Sequence, residues 1–155
     1  MRDEMPEFEA LPVTTLAQMV DALAIRRRVF IEEQGVPEDE EIDDHDGDPA
    51  SFTTALHVVL YRGGAPIATG RLLLPHDGEG AHIGRVAVLA EHRRIGAGRA
   101  VMFALRSLAV ERGMHDITLA AQLHAIGFYE KLGYVARDDV FLDAGIEQRW
   151  MNIRL

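Results

Sequence analysis

The chain has 155 residues, of which 48% are hydrophobic and 26% charged, and its formal net charge at pH 7 is −9. This size and composition predict one globular domain over residues 1–155 and exclude collagen-like, coiled-coil and largely disordered chains. The chain has no cysteine, which excludes disulfide frameworks, catalytic thiolates and cysteine-based metal sites.

The first elements along the chain are a strand, a helix and a pair of strands. Residues 1–13 are acidic and lack the basic flank and apolar run of a signal peptide, so we expect none. Residues 7–13 are predicted as a strand. A helix capped by Thr14 or Thr15 is predicted over residues 16–34, with an apolar face formed by Leu16, Met19, Val20 and Leu23. Strands at 55–62 and 65–75 are then joined by a glycine turn.

The negative charge is concentrated in residues 32–48, which contain ten acidic residues and no lysine or arginine. One interpretation is a solvated surface loop, in which Asp46 and Asp48 are outer charges exposed to water. The other is a negatively charged rim that attracts a cationic ligand such as an amine. An EF-hand is excluded because Ile42 would be its first calcium ligand. His45 and His57 lack companions at a ligand spacing, so no metal site is predicted.

The second half of the chain completes an alternating pattern of strands and helices. Strands are predicted at 81–90, 116–122, 134–142 and 147–155, and helices at 99–112 and 124–133. The full order is β, α, ββ, β, α, β, α, ββ, which predicts an α/β (α+β) protein with a mixed sheet. No apolar stretch reaches the ~20 residues of a membrane span, and the lack of cysteine suggests a reducing compartment. We therefore expect a cytoplasmic protein with no membrane partner.

A glycine-containing loop lies between the strand at 81–90 and the helix at 99–112. Gly96 and Gly98 allow backbone N–H groups to approach a ligand, and a helix N-terminus carries about half a positive charge, so the segment predicts an anion site. Net acidity argues against nucleic acid as that anion. A Walker loop is absent, and a dinucleotide fingerprint would need glycine or alanine at Val101. An ordinary tight turn stays open on these residues alone.

Longer patterns around this loop resemble a known family. Arg93-x-x-Gly96-x-Gly98, after Val86-x-Val88, resembles the acetyl-CoA pyrophosphate loop of the GNAT superfamily of N-acetyltransferases. Residues 122–134 are similar to the superfamily's second motif, a strand end followed by a helix with an Ala-x-x-Phe-Tyr pattern. Residues 27–37, 41–43 and 141–146 are similar to the ElaA-like and YjcF-like branch.

The resemblance implies a fold and a cosubstrate. The fold is a mixed, mostly antiparallel sheet with a splayed pair of parallel strands, flanked by helices. Acetyl-CoA is expected to place its pantetheine arm between the splayed strands and its pyrophosphate on the loop. The implied cofactor-binding residues are Val86, Ala87, Val88, Arg93, Arg94, Ile95, Gly96, Ala97, Gly98, Arg99, Gln122, His124, Phe128 and Tyr129.

The implied reaction is acetyl transfer to a primary amine by direct attack in a ternary complex. An alkylamine is protonated at neutral pH and must lose a proton before it attacks. Tyr129 is similar in position to the superfamily's general acid, which protonates the departing thiolate. Its spacing with Ala125, Phe128 and Leu132 also fits a packed core tyrosine.

The general base and the acceptor are less defined. Many relatives carry a glutamate on the strand before the loop, but the matching position here is Gly84. His82, two residues earlier, is a candidate base with a suitable pKa range, and an ordinary strand histidine is the alternative. Glu32 and Glu33 are further candidates for the base, acting through water, and they are also candidate acceptor-site residues for a small, cationic amine.

The sequence departs from the family pattern at two positions, and two other functions remain as alternatives. Gln122 replaces the asparagine common before the second helix, and Gln148 replaces a histidine common in the branch, which places acceptor choice in doubt. The chain could instead be a non-catalytic acyl-CoA-binding module, or it could acetylate a peptide or protein amine. Superfamily members are often dimers, so a homodimer is one assembly to test.

Overall fold

The computed structural model describes residues 7–51, 54–75 and 80–155. Residues 1–6, the first part of the segment on which the expectation of no signal peptide rests, lie outside them. Seven strands form one sheet in the order β1-β2-β3-β4-β5-β7-β6. The strands are β1 Phe8–Pro12, β2 Ala55–Arg62, β3 Ala65–Leu73, β4 Ala81–Val88, β5 Asp116–Gln122, β6 Val135–Asp143 and β7 Ile146–Arg154. The α-helices are α1 Leu16–Arg26, α2 Glu38–Glu41, α3 Ala97–Glu111 and α4 Ile126–Lys131. The predicted fold class is confirmed, and the element order agrees with the prediction except for the short helix α2, which was not predicted.

The first helix begins where its cap predicts. The Thr15 side chain accepts a hydrogen bond from the Gln18 backbone N–H, and the Gln18 side chain accepts one from the Thr15 N–H, which is a capping box. After Arg26 the chain continues as a π-helical segment over Arg27–Glu33. The helical region therefore covers nearly the predicted residues, but its second half is π-helical rather than α-helical.

The predicted apolar face of α1 is half right, because Met19 is buried and Leu23 packs against the core but Leu16 and Val20 do not. Leu16 and Val20 are 60% and 63% exposed, whereas Met19, Ala22 and Ile25 are buried against the sheet. Both sets satisfy helical spacing, so periodicity alone does not choose between them. Ala22 is fully buried, and its small side chain lets α1 approach the sheet closely.

Helices cover both faces of the sheet and produce two hydrophobic cores. On one face, α3 places Val101 and Leu105 directly over β3, where a Cβ at Gly70 would lie 2.7 Å from each of them. This close approach requires glycine at position 70. On the other face, α1 packs over Val59 and Ala87.

The sheet opens between β4 and β5, its one parallel pair. Register is kept over three residue pairs, the last being Ile83 with Leu119. Beyond that point β4 contains a bulge, because Arg85 and Val86 together oppose Gly70 of β3, and Arg85 has a left-handed φ of 53°. A bulge bends its strand, so β4 leaves β5 here. The predicted splayed pair is confirmed.

Candidate active site

A cleft of about 1210 Å³ passes through the opening between β4 and β5. Residues 83–88 of β4 line one side, and Leu119, Ala120 and Gln122 of β5 line the other. The π-helical segment, α2 and the β6–β7 hairpin also contribute to its walls. Ligand clefts are typically about 300–1,000 Å³, so this one has room for two substrates at once.

One end of the cleft is the N-terminus of α3. Gly96 caps the helix with a left-handed φ of 89°, and the first intrahelical hydrogen bond runs from Ala100 N–H to the Gly96 carbonyl. The N–H groups of residues 97–99 precede that bond and have no partner within the helix. These donors and the positive end of the helix dipole lie where the sequence predicts an anion site.

Gly98 has a packing role in addition to any contact with a ligand. A Cβ at this position would lie 3.3 Å from the Phe128 ring and 3.7 Å from the Val88 side chain. Glycine therefore lets the first turn of α3 lie between β4 and α4.

The three loop arginines have different partners. Arg93 binds both carboxylate oxygens of Glu33, at 2.8 and 2.9 Å, and donates from Nε to the Val88 carbonyl. Its hydrogen bonds lower the pKa of Glu33. Arg99 stacks its guanidinium 5.3 Å from the Phe103 ring centroid, and Arg94 is exposed at the cleft. Arg94 and Arg99 thus have charge available for a phosphate, whereas Arg93 joins the loop to the π-helical segment.

Tyr129 lies in α4 and lines the cleft while only 9% exposed. Its ring contacts Phe128 and Tyr134 edge-on, with centroids 5.0 and 6.1 Å away. Burial, with a smaller contribution from Tyr134, raises the pKa of Tyr129 to about 12. The phenol therefore keeps its proton at neutral pH.

The acidic segment is not a solvated loop along its whole length. Asp46 has a side chain that is 1% exposed, and it accepts hydrogen bonds from Arg26 at 2.6 and 2.9 Å. Glu41 is 2% exposed and accepts from Arg26 Nε at 2.8 Å. Arg71 reaches Asp43 at 2.8 Å and Asp46 at 3.5 Å. The expectation that Asp46 is an outer charge is wrong. Arg26 of α1, Arg71 of β3 and Arg85 of β4 form ion pairs with carboxylates of the acidic segment.

Hydrogen bonds and charges from the arginines of this cluster lower the pKa of Asp43 and of Asp46. Burial alone would raise the pKa of Asp46, but hydrogen bonds from Arg26 and from the Asp43 N–H, with the charges of Arg26 and Arg71, lower it to about 2. Burial lowers the pKa of His57, whose Nε2–H donates to the His45 carbonyl at 2.9 Å. The cluster therefore contains ionised carboxylates facing arginines.

Comparison with known proteins assigns the family. The family model described as "Acetyltransferase (GNAT) family" matches residues 19–134. The uncharacterized N-acetyltransferase YjcF of Bacillus subtilis is 40% identical over 130 residues, 83% of this chain and 87% of YjcF. The chain belongs to the GNAT family. It is an N-acetyltransferase of this acyl-CoA-using family, as its motifs predicted.

Solved structures agree with the GNAT fold. A Lactobacillus plantarum protein of known crystal structure has a TM-score of 0.84 and 30% identity, and the match covers 96% of this chain and 98% of that one. Escherichia coli ElaA has a TM-score of 0.77 and 25% identity, covering 94% of this chain and 98% of ElaA. The resemblance to the ElaA-like and YjcF-like branch is confirmed.

The two departures from the GNAT pattern lie opposite each other. Gln122 of β5 and Gln148 of β7 are cross-strand partners, and both line the cleft. Gln122 also donates to the Gln34 side-chain oxygen at 3.0 Å, across from the end of the π-helical segment. Together the three amides form a polar wall that sequence reasoning did not assemble, because their strand register is set by tertiary structure.

Most, but not all, of the predicted site residues meet at the cleft. Those lining it are Val86, Ala87, Val88, Arg93, Arg94, Gly96, Ala97, Gly98, Arg99, Gln122, His124, Phe128, Tyr129 and Glu33. Ile95, Glu32 and His82 do not line it. His82 lies instead beside Trp150, with ring centroids 6.4 Å apart, which weakens its case as the general base.

Glu41 lines the cleft and was given no role by sequence reasoning. The signal was present, because Glu41 belongs to the segment similar to the ElaA-like and YjcF-like branch. The described residues contain no group of three or more histidine and carboxylate side chains placed to hold a metal ion. None of the helices in this part of the chain is long and apolar enough to cross a membrane.

Proposed function

We propose that this GNAT enzyme transfers the acetyl group of acetyl-CoA to the primary amine of a small, cationic acceptor, with Tyr129 as general acid. The observation that carries the proposal is the single cleft that connects the α3 N-terminus, the open strand pair and the protonated Tyr129.

The residues present fit coenzyme A. The N–H groups of residues 97–99 and the charges of Arg94 and Arg99 suit a pyrophosphate. Beyond Ile83, β4 runs without pairing to β5, so its free edge can bind the amides of a pantetheine arm as an added strand would. Val86 and Val88 lie on this stretch, and Phe128 and His124 lie at the far wall.

The acceptor would enter from the face covered by α1. Glu33, Glu40 and Glu41 line this part of the cleft, and Glu32 lies next to it on the exposed surface. Arg93 pairs with Glu33 and Arg85 pairs with Glu41, so the negative charge left over here comes from Glu40 and the neighbouring Glu32. Excess negative charge at a cleft attracts cationic ligands. An amine bearing a positive charge therefore suits this entrance better than a neutral or anionic acceptor.

In the reaction, the deprotonated amine forms a bond to the thioester carbonyl carbon, the carbon–sulfur bond breaks, and the nitrogen releases a proton to solvent as the amide forms. Tyr129 donates its phenolic proton to the departing sulfur and later regains one from solvent. A pKa of about 12 in the free enzyme keeps this proton in place until a thiolate forms beside it.

Replacing Tyr129 with phenylalanine tests the general acid. The ring and its packing are kept, so we expect little change in stability. A positioned acid contributes about 10²–10⁴-fold, so kcat should fall by roughly that factor while acetyl-CoA affinity stays within a few-fold. Free-thiol release with an amine panel of polyamines, amino sugars, aminoglycosides and peptides gives the rate, and mass spectrometry gives the product.

Tyr134→Phe is the matched control. Burial also raises the pKa of Tyr134 to about 12, but its hydroxyl lies outside the cleft and has no hydrogen-bond partner among the described residues. Its kcat should match that of the wild type. Equal, near-normal turnover of both variants would reduce Tyr129 to a packing residue. Binding of acetyl-CoA without transfer to any amine in the panel would favour the non-catalytic module.

A further inference from the structure

Gln148 of β7 presents a side-chain amide to the cleft that no described residue binds. The residue is 9% exposed and lines the cleft. Its amide makes no hydrogen bond within the described part of the chain, yet neither amide atom is among the fully buried side-chain atoms that lack a partner there. The Gln148 amide therefore reaches the open space of the cleft, where a ligand can bind it.

The neighbours of Gln148 leave its amide unpaired. Its cross-strand partner on β5 is Gln122, but the Gln122 amide exchanges two hydrogen bonds with the Gln34 amide, at 3.0 and 3.4 Å. Its cross-strand partner on β6 is Phe141, whose side chain has no hydrogen-bonding group. Trp150, two positions further along β7, stacks its ring on Phe141 with centroids 5.0 Å apart. The donors and the acceptor of the Gln148 amide thus stay available to a ligand.

Gln148 lies on the acceptor side of the sheet, beside the open part of β5. Met151 of β7 is buried in the core beneath α3, and side chains three positions apart on a strand point to opposite faces. Gln148 therefore points to the face on which α1 packs. Its partner Gln122 is three residues beyond Leu119, the last residue of β5 paired with β4, which is about 10 Å along a strand. A group a few bonds away from an amine at this opening can reach the Gln148 amide.

The surface next to Gln148 suits a neutral group. Gln122, Phe141 and Gln34 carry no charge, and Asp143 of the same hairpin lines the cleft as an exposed acid, which disfavours a carboxylate. An amide has N–H donors and a carbonyl acceptor, so it best complements a neutral group that both donates and accepts. A hydroxyl group does both through a single oxygen, donating to Oε1 and accepting from Nε2.

We propose that the Gln148 amide binds a hydroxyl group of the acceptor, so that the enzyme prefers hydroxyl-bearing amines, such as amino alcohols and amino sugars, over plain alkylamines. This inference rests on the proposed function and assigns a specificity-determining residue and a substrate class to its acceptor site. The hydroxyl is held at a neutral amide, and the reacting amine is left to lose its proton and attack the thioester. A site that hydrogen-bonds a substrate hydroxyl discriminates against the analogue that lacks it, because its own polar group then has no partner.

The test measures how Gln148→Met changes the ratio of kcat/KM between matched acceptors. Ethanolamine is compared with ethylamine, propanolamine with propylamine, and butanolamine with butylamine, so that each pair differs by one hydroxyl. Methionine keeps the length of the side chain and removes its amide. For the pair that the wild type discriminates best, we expect the ratio favouring the amino alcohol to fall about 3- to 10-fold, as for the loss of a neutral hydrogen bond. The KM for acetyl-CoA and the kcat/KM of the alkylamines should stay close to the wild-type values.

Trp150→Phe is the matched control. Trp150 lies on the same strand face as Gln148 but does not line the cleft, and phenylalanine keeps an aromatic ring against Phe141. This variant should leave the ratio unchanged. A ratio that Gln148→Met lowers for no pair, or lowers no more than Trp150→Phe does, would overturn the assignment while acetyl transfer itself still supported the proposed function. A wild-type enzyme that acetylates no amine would refute the proposed function and the inference with it.

Binding without turnover tests the same preference in the wild-type protein, so the assignment stays falsifiable if Gln148→Met does not fold. With coenzyme A in place of acetyl-CoA, calorimetry should give a Kd for the best amino alcohol about 3- to 10-fold lower than that for the alkylamine of the same length. Equal dissociation constants for the two amines would contradict recognition of the hydroxyl.

Discussion

The buried ion cluster predicts that Asp46 stabilises the fold rather than serving as a surface charge. Asp46→Asn replaces a carboxylate whose side chain is 1% exposed and which binds Arg26 through two oxygens. It also leaves Arg26, itself 1% exposed, with a weaker partner. The substitution should therefore lower the free energy of unfolding substantially at neutral pH.

The magnitude follows from two estimates. The pKa of Asp46 falls from 3.8 to about 2, and at 1.36 kcal/mol per pKa unit this corresponds to about 2 kcal/mol. Removing one partner from a buried ion pair typically costs about 3–5 kcal/mol. We expect a loss of about 2–5 kcal/mol, which is a large part of the stability of a domain this size.

The direction of the pKa shift determines how the stabilisation by Asp46 changes with pH. Because folding lowers the pKa of Asp46, its charge stabilises the fold above pH ~4, and this contribution disappears as the pH falls through about 2. Urea unfolding at pH 7 and at pH 3 should show the difference between variant and wild type shrinking at the lower pH. Asp44→Asn, an exposed acid of the same segment, should change stability by less than about 0.5 kcal/mol. Indistinguishable stabilities of the two variants at pH 7 would refute the cluster's role.

Two further substitutions test the cofactor and acceptor ends of the cleft. Gly98→Val should weaken acetyl-CoA binding by at least ten-fold in a folded protein, because the new side chain contacts Phe128 and Val88 beside the α3 N–H groups. An unchanged affinity, measured by calorimetry, would show that this loop does not bind acetyl-CoA. Gln148→His should change the ranking of acceptors in the amine panel and leave the KM for acetyl-CoA within a few-fold, since Gln148 lies on the polar wall opposite Gln122; an unchanged ranking would show that this wall does not select the acceptor.

The loop and the second motif could be predicted from sequence because their geometry is local. The Gly96 cap and the turn into α3 depend on residues adjacent in the chain, and glycine is needed for a φ of 89°. Tyr129 and Phe128 follow β5 within one short segment. Patterns of this kind keep their meaning without knowledge of the tertiary structure.

The ion cluster could not be predicted in the same way, because its partners are distant in sequence. Arg26 meets residues 15 and 20 positions later, and Arg71 meets residues 28 and 25 positions earlier. An uninterrupted run of acids indicates solvent exposure when the arginines that neutralise it lie elsewhere in the chain. The exposure of Leu16 and Val20 has a similar origin, since only the sheet decides which of two helical faces is buried.

Arg85 connects the two halves of the site. Its left-handed φ of 53° is unfavourable for a residue with a Cβ, by roughly 1–2 kcal/mol, yet this conformation produces the bulge that separates β4 from β5. The same residue donates hydrogen bonds to the carbonyls of Glu40 and Glu41 and lies 3.1 Å from the Glu41 carboxylate. These contacts offset the strain only when the acidic segment is folded beneath α1. The segment that the sequence predicted as a charged surface therefore supports the bulge at the open strand pair, where we propose that the cofactor binds.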